Sequence, residues 1–329
     1  MISTNASIVE RNEAFALLNH WRSCHAYPIN TFQSTLRSRL KNIYPEALVA
    51  QRLKRTPSIL KKLLSNSGEL GRMQDIGGLR AIVNNLSQVR KLEKLYANGS
   101  LSHESIKIDD YITTPKESGY RSLHLIYKYR NPSNNIYDGL FLELQIRTKL
   151  QHAWATAVET IGTFLNQALK SSDGEADWLN YFKTISAAFA HLEKSPVPLA
   201  FNNRSAHSIY SEAVALTVKL DVREKLRAFA LVANAIETRQ SQGNYHLVVL
   251  NATLRTVDVT SYGKPRLEEA NIAYAKIERE SHIDTNIQAV LVATNSIDAL
   301  RKAYPNYFLD TREFTRAISR IEQNIISTT

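Results

Sequence analysis

Four short groups of residues between positions 52 and 148 have the types and spacing to handle a phosphate-bearing ligand. The first is Arg52, Lys54, Ser58 and Lys62, in a run with no acid between Glu46 and Glu69. Pro57 suits the first turn of a helix with Thr56 as its cap. Ser58 then lies in that first turn, where free backbone N–H groups favour an anion. Lys62 follows four residues on, on the same face. Taken alone, such a run is also what a solvated basic helix face looks like. The second group places Asp75 before Gly77-Gly78, with Arg80 just beyond. The third is the loop Asp110 to His124, with Pro115, Lys116, Gly119, Tyr120, Ser122 and His124. Lys116 is a mobile point charge suited to phosphate, and Tyr120 is a flat ring on which a base can stack. The fourth alternates Glu143, Gln145 and Arg147. Together they offer two acids, a set of cations and a stacking ring, with no obvious nucleophile. That inventory suits phosphoryl-type transfer, which needs positioning and charge neutralisation more than covalent catalysis.

The elements that must hold these groups can be read from hydrophobic periodicity. Residues 139–148 are the clearest strand, with Leu140, Leu142, Leu144 and Ile146 on a core face and the polar residues on the other. Within residues 73–83 a strand is predicted with Leu79, Ala81 and Val83 on one face and Arg80 and Ile82 on the other. Further strands are expected at 106–112 and 122–129, the second placing Ser122 and His124 on one face. Helices are expected at 8–26, ended by Pro28, and from about Thr31. Trp21, Arg22 and His25 read as helix packing plus a surface cation. Helices at 86–97, 149–169 and 176–193 follow, with a turn at 171–174.

Pro196, Pro198 and the polar run 202–205 mark a boundary between residues 1–200 and a module at 205–329. In that module the pattern predicts helix 209–238, strands 244–252 and 254–261, helix 265–282, strand 286–294 and helices 296–303 and 311–325. The fold class is α/β (α+β), a mixed sheet flanked by helices, with a smaller C-terminal α+β part. That part shows no metal spacing, triad or phosphate loop.

The net charge is +10, and residues 1–205 hold 26 Lys and Arg against 17 Asp and Glu. The polyanionic partner, nucleotide or nucleic acid, is therefore expected on the N-terminal part. Cys24 is the only cysteine, which excludes an internal disulfide and a cysteine-rich zinc module. No apolar run is long enough to span a bilayer. The first residues lack a basic segment followed by an apolar one, so no membrane and a cytoplasmic location are expected.

In this order the four groups resemble the synthetase domain of the RelA/SpoT family, over roughly residues 40–165. The motifs are R-x-K-x-x-x-S-x-x-x-K, D-I-x-G-x-R, Y-x-x-x-P-K-x-x-G-Y-x-S-L-H and E-x-Q-I-R-T. The resemblance implies a nucleotidyltransferase-like fold that transfers pyrophosphate from ATP to the 3′-hydroxyl of GDP or GTP, releasing AMP. It implies that Arg52 and Arg80 hold the adenine, and that Lys54, Ser58 and Lys62 contact the ATP phosphates. Asp75 and Glu143 would hold Mg²⁺, with Glu143 also taking the proton of the attacking hydroxyl and Gln145 beside it. Lys116, Tyr120, Ser122, His124 and Arg147 would face the acceptor, Tyr120 stacking on its base. Ser118 stands where long members have Asn, as in the small synthetases. No room is seen for the hydrolase domain of the long enzymes. Relatives of this type are often homo-oligomers. Some instead modify the tRNA 3′ end or adenosine nucleotides, and the C-terminal module would then suit an antitoxin or regulatory protein. A nucleotide sensor without catalysis is the third reading.

Overall fold

The structure, a computed structural model, describes residues 7–66, 69–97, 101–164, 175–226, 244–251, 253–254, 256–281, 287–293 and 311–326. Two helices open the chain, α1 (Ile8–Cys24) and α2 (Ala26–Leu40). Ser7 caps α1 in a reciprocal box with Glu10. Contrary to expectation, α2 begins at Ala26 and not near Thr31, because Pro28 sits inside its first turn, where its missing N–H costs no intrahelical bond.

Strand β1 (Leu48–Leu53) follows, then α3 (Thr56–Asn66), β2 (Gly77–Val83), α4 (Leu86–Ala97), β3 (Glu104–Asp110), β4 (Leu123–Lys128) and β5 (Phe141–Thr148). The sequence reading did not include β1. Its run, Leu-Val-Ala-Gln-Arg-Leu, carries no clean alternation, since Val49 and Gln51 on one face and Ala50 on the other are all buried. Next come α5 (Lys149–Phe164), α6 (Ala176–Glu193) and α7 (Ala206–Lys219). The expected helix from 209 breaks at Leu220 and Asp221, the latter in the left-handed region at φ 51°. No Gly or Pro announces that break; Asp tolerates the conformation. The chain continues with β6 (Tyr245–Asn251), β7 (Thr256–Tyr262), α8 (Leu267–Ser281), β8 (Ile287–Ala293) and α9 (Arg312–Ile326). The turn at 171–174 and the helix at 296–303 fall outside the described residues.

All eight strands of the described residues form one mixed sheet in the order β3-β4-β5-β2-β1-β8-β6-β7. The sheet therefore runs unbroken past the boundary expected near residue 202, because β8 pairs antiparallel with β1 through Gln51–Ala293 and Arg52–Val292. One face of its N-terminal strands packs Leu79, Ala81, Leu125, Leu142, Leu144 and Ile146 against Phe32, Leu36, Val89 and Leu92 of α2 and α4. A second core joins α5, α6, α7 and α9 through Trp154, Trp178, Tyr181, Phe182, Phe189 and Phe314. No described helix is long and apolar enough to cross a membrane.

One feature of this frame differs from its sequence reading. Arg22 is not a surface cation: it is buried and ion-paired with Glu278 of α8 at 2.8 Å. His25 is buried too, its Nδ1–H donating to the Trp21 carbonyl at 2.9 Å. Gly119 is held at φ +88°, and a Cβ there would lie 2.8 Å from the Ser186 Cβ and 3.0 Å from the Phe182 carbonyl oxygen of α6. Only glycine fits this close approach.

Burial lowers the His25 pKa from 6.5 to about 4, against the opposing bond to Trp21. The unfolded chain takes up this proton below about pH 6.5 while the folded one resists until about 4, so acid destabilises over that window. Urea unfolding at pH 7 and pH 5 should show a loss on the order of 2 kcal/mol that is absent from His25→Gln. Gly119→Ala should cost about 1–3 kcal/mol in the same measurement, through a non-glycine positive φ and a clash with α6.

Candidate active site

The strand register brings the four sequence groups onto one side of the sheet. Asp109, His124, Gln145, Arg80 and Ala50 are successive partners across β3, β4, β5, β2 and β1. Ile126, Glu143, Gly78 and Arg52 form the next row. Alternation along each strand points both rows to the face opposite the α2–α4 core. They floor a cavity of about 390 Å³. Every residue to which the sequence reading gave a catalytic or binding role lines it except Ser58 and Ser122.

Arg52 lies opposite Gly78, and Arg80 lies opposite Ala50. The two arginines are thus diagonal neighbours on one face, with a Cβ separation of roughly 7 Å. Small residues fill the other two corners. Two guanidinium planes at that spacing, above a floor with no side chain larger than a methyl group, can bracket a planar ring.

Asp75, just before β2, accepts from Lys54 Nζ at 2.7 Å and from Lys62 Nζ at 3.2 Å. Lys62 reaches the cavity from α3, and Lys54 from the end of β1. Ser58 is half-buried on α3 and does not line the cavity. The first residue of α3 already has its donors engaged. The Thr56 N–H donates to Glu278 Oε1 at 2.8 Å and the Thr56 hydroxyl to Oε2 at 2.7 Å, so a carboxylate of this chain already sits there.

On the other side of the cavity Glu143 accepts from His124 Nδ1 and from Gln145 Nε2, each at 2.8 Å. Arg147 Nη2 donates to Gln145 Oε1 at 2.8 Å and to the Tyr120 hydroxyl at 2.6 Å. The Tyr120 hydroxyl lies 2.8 Å from His124 Nε2, which closes a ring of five side chains. With Nδ1–H given to Glu143, Nε2 accepts from Tyr120. Burial works against a charge on Glu143, but the bonds from His124 and Gln145 and the nearby Lys54 ammonium hold its pKa down at about 2. The carboxylate is therefore ionised across the neutral range.

Tyr120 is only 6% exposed, packed edge-on to Trp154, with its hydroxyl committed to the ring. Ser122 is fully buried beneath Arg147, its hydroxyl donating to the Ile146 carbonyl at 3.3 Å. Lys116 Nζ stands 4.2 Å from the centre of the Tyr111 ring and 5.6 Å from that of Tyr120. Tyr111 is the more open ring of the two. The loop carrying these groups is fastened beneath the cavity. Arg121 donates to Glu193 at 2.8 Å and to Ser195 at 3.0 Å, and Thr148 also binds Glu193.

Sequence reasoning missed Gln74, Asp109, Tyr111, Ala50 and Gly78 among the lining residues. Gly78 and Tyr111 lay inside quoted motifs, while Ala50 and Asp109 become visible only through cross-strand pairing. Among the described residues, no group of three or more His, Cys, Asp and Glu could hold a metal ion. Asp75 and Glu143, with side chains 23% and 13% exposed, offer two carboxylates at one cavity. That donor set fits a Mg²⁺ shared with phosphate oxygens and not an all-protein cage.

Residues 51–162 match the model of the region found in RelA / SpoT proteins. The chain is 34% identical over 124 residues to the GTP pyrophosphokinase YwaC of Bacillus subtilis, covering 35% of this chain and 57% of that protein. It is 35% identical over 116 residues to GTP pyrophosphokinase YjbM of the same organism, covering 34% and 54%. It thus spans little more than half the length of these relatives. Among solved structures, it is similar to small alarmone synthetase 1 from Bacillus subtilis bound to its product pppGpp. That match has 27% identity and a TM-score of 0.42, over 51% of this chain and 90% of the other. With its four motifs gathered at one cavity, the segment 51–162 of this chain carries the region found in RelA / SpoT proteins.

Proposed function

We propose that this protein transfers pyrophosphate from ATP to the 3′-hydroxyl of GDP or GTP, giving the guanosine 3′-diphosphate and AMP. The observation that supports it most is the convergence of Asp75, Glu143, the arginine pair and the lysines at one cavity. Residues 1–200 supply every side chain that lines it, so we place the catalytic part there.

In this reading Arg52 and Arg80 hold the adenine of ATP between their guanidinium planes. Lys54 and Lys62 exchange Asp75 for the phosphate oxygens. Asp75 and Glu143 are then the residues that would hold Mg²⁺, which would offset the negative charge of the phosphates. Lys116 and Arg147 balance the acceptor's phosphate charge, and the Tyr111–Tyr120 wall receives its base. The acceptor 3′-oxygen forms a bond to the β-phosphorus of ATP, and the bond between that phosphorus and the α–β bridging oxygen breaks, so AMP leaves with that oxygen. Glu143 takes the proton of the attacking hydroxyl. His124 and Gln145 keep its carboxylate aimed, and through Tyr120 the ring ties that aim to Arg147.

The test is a transfer assay with the full chain, Mg²⁺ and ATP labelled on the γ-phosphate, offered GDP, GTP, AMP, ADP or bulk tRNA. Label on GDP or GTP is the expected result. Label on tRNA or an adenosine nucleotide would replace the acceptor and keep the donor chemistry. Label nowhere, with nucleotide still bound, would make the protein a sensor. Glu143→Gln should lower kcat by at least about 10²-fold while leaving the affinity for a non-hydrolysable ATP analogue within about twofold. Full turnover by that variant would show that the metal and proton roles lie elsewhere.

A further inference from the structure

The residues that support the donor half of the cavity are not all in the family segment. Glu278 lies on α8, outside the 51–162 region, and is 4% exposed. Its Oε1 accepts from the Thr56 backbone N–H at 2.8 Å, and its Oε2 from the Thr56 hydroxyl at 2.7 Å. Arg22 Nη1 of α1 donates to Oε2 at 2.8 Å and to the Thr56 hydroxyl oxygen at 2.8 Å. The Tyr274 hydroxyl donates to Oε1, and the Arg22 guanidinium lies 5.1 Å from the centre of the Tyr274 ring. Three helices distant in sequence therefore meet at one buried carboxylate.

Thr56 is the first residue of α3, two positions after Lys54 and six before Lys62. A short connector thus ties both lysines of the Asp75 cluster to the Glu278 junction. The strand on the other side of the connector is held from the same quarter, since Arg52 pairs with Val292 of β8. An N-terminal cap normally comes from the residue just before the helix. Here the backbone N–H of Thr56 is satisfied from α8, more than two hundred residues away.

We propose that Glu278 is a positioning residue for the ATP site. By capping α3 from another part of the chain, it fixes Lys54 and Lys62 at the spacing that receives the donor phosphates. The segment 245–293 is then part of the working catalytic unit and not an appendage to it. The proposal rests on the donor-side reading given above. A misplacement of about 1 Å in such groups can cost up to roughly 10²-fold in rate, so the effect is large enough to read.

The experiment compares wild type and Glu278→Gln as full chains. Three quantities are measured: affinity for a non-hydrolysable ATP analogue by calorimetry, amide exchange over residues 54–62, and KM for ATP and acceptor in the transfer assay. Glu278→Gln keeps the shape and loses the charge that holds Arg22 and Thr56 together. The expected result is an affinity for the analogue, and a KM for ATP, weakened by at least about tenfold. The KM for the acceptor should stay within about twofold, and exchange should quicken at 56–60 but not in β2 or β5. Analogue affinity within twofold of wild type, with faster exchange at 56–60, would overturn the proposal and leave Glu278 a purely structural residue. If wild type transfers to no acceptor, the enzymatic reading fails, and analogue binding and exchange still decide the role of Glu278. If Glu278→Gln does not fold, Thr56→Ala and Thr56→Ser decide it, because both leave the Arg22–Glu278 pair in place. Thr56→Ala should weaken analogue binding in the same direction and Thr56→Ser should restore it; equal affinities would overturn the proposal.

Discussion

Pairing of Gly78 with Arg52 on one side and Glu143 on the other sets the floor of the cavity. A shift of one residue in either register would turn the arginine clamp or the carboxylate toward the α2–α4 core, where neither could be solvated. Leu79, Leu142 and Leu144 on the reverse face, all buried, make such a slip prohibitive. The chemistry on one face is therefore specified by hydrophobic packing on the other. The parallel joint between β2 and β5 is the centre of that arrangement, with β4 and β1 added antiparallel on its two sides.

Both carboxylates of the cavity are held by partners from this chain. Asp75 is matched by Lys54 and Lys62, and Glu143 by His124 with Gln145 behind it. Such pairing keeps polar groups satisfied at the cost of competing with a ligand. A triphosphate can displace a carboxylate from a lysine, since it offers more charge to the same ammonium. It leaves the carboxylate free to take a divalent cation. On the proposed function, binding then consists of exchanging partners, which suits accepting and releasing highly charged molecules.

Much of this was legible in the chain because the informative residues sit in short, regular elements. The alternation from Leu140 to Ile146 announces both the core face and the three polar groups of β5. Gly119 and Pro115 announce a turn that α6 then fixes in place. What escaped was long-range. Ala50 and Asp109 are ordinary residues until cross-strand neighbours give them a role. Arg22 reads as a helix surface cation because its partner lies far along the chain, on α8. The start of α3 has a typical anion-site pattern, yet local sequence cannot say that Glu278 fills it. The helix break at Asp221 lacks the residues that usually mark one, so periodicity runs straight through it.

The join between β1 and β8 bears on how this protein can be divided. In a chain cut before β6, the register from Leu48 to Leu53 would become an outer strand with bare amide and carbonyl groups, the template on which other chains assemble into sheets. Arg22 would at the same time lose its counter-charge, Glu278. An isolated N-terminal fragment would therefore be sticky as well as altered in activity. Loss of turnover in such a fragment would say as much about self-association as about catalysis.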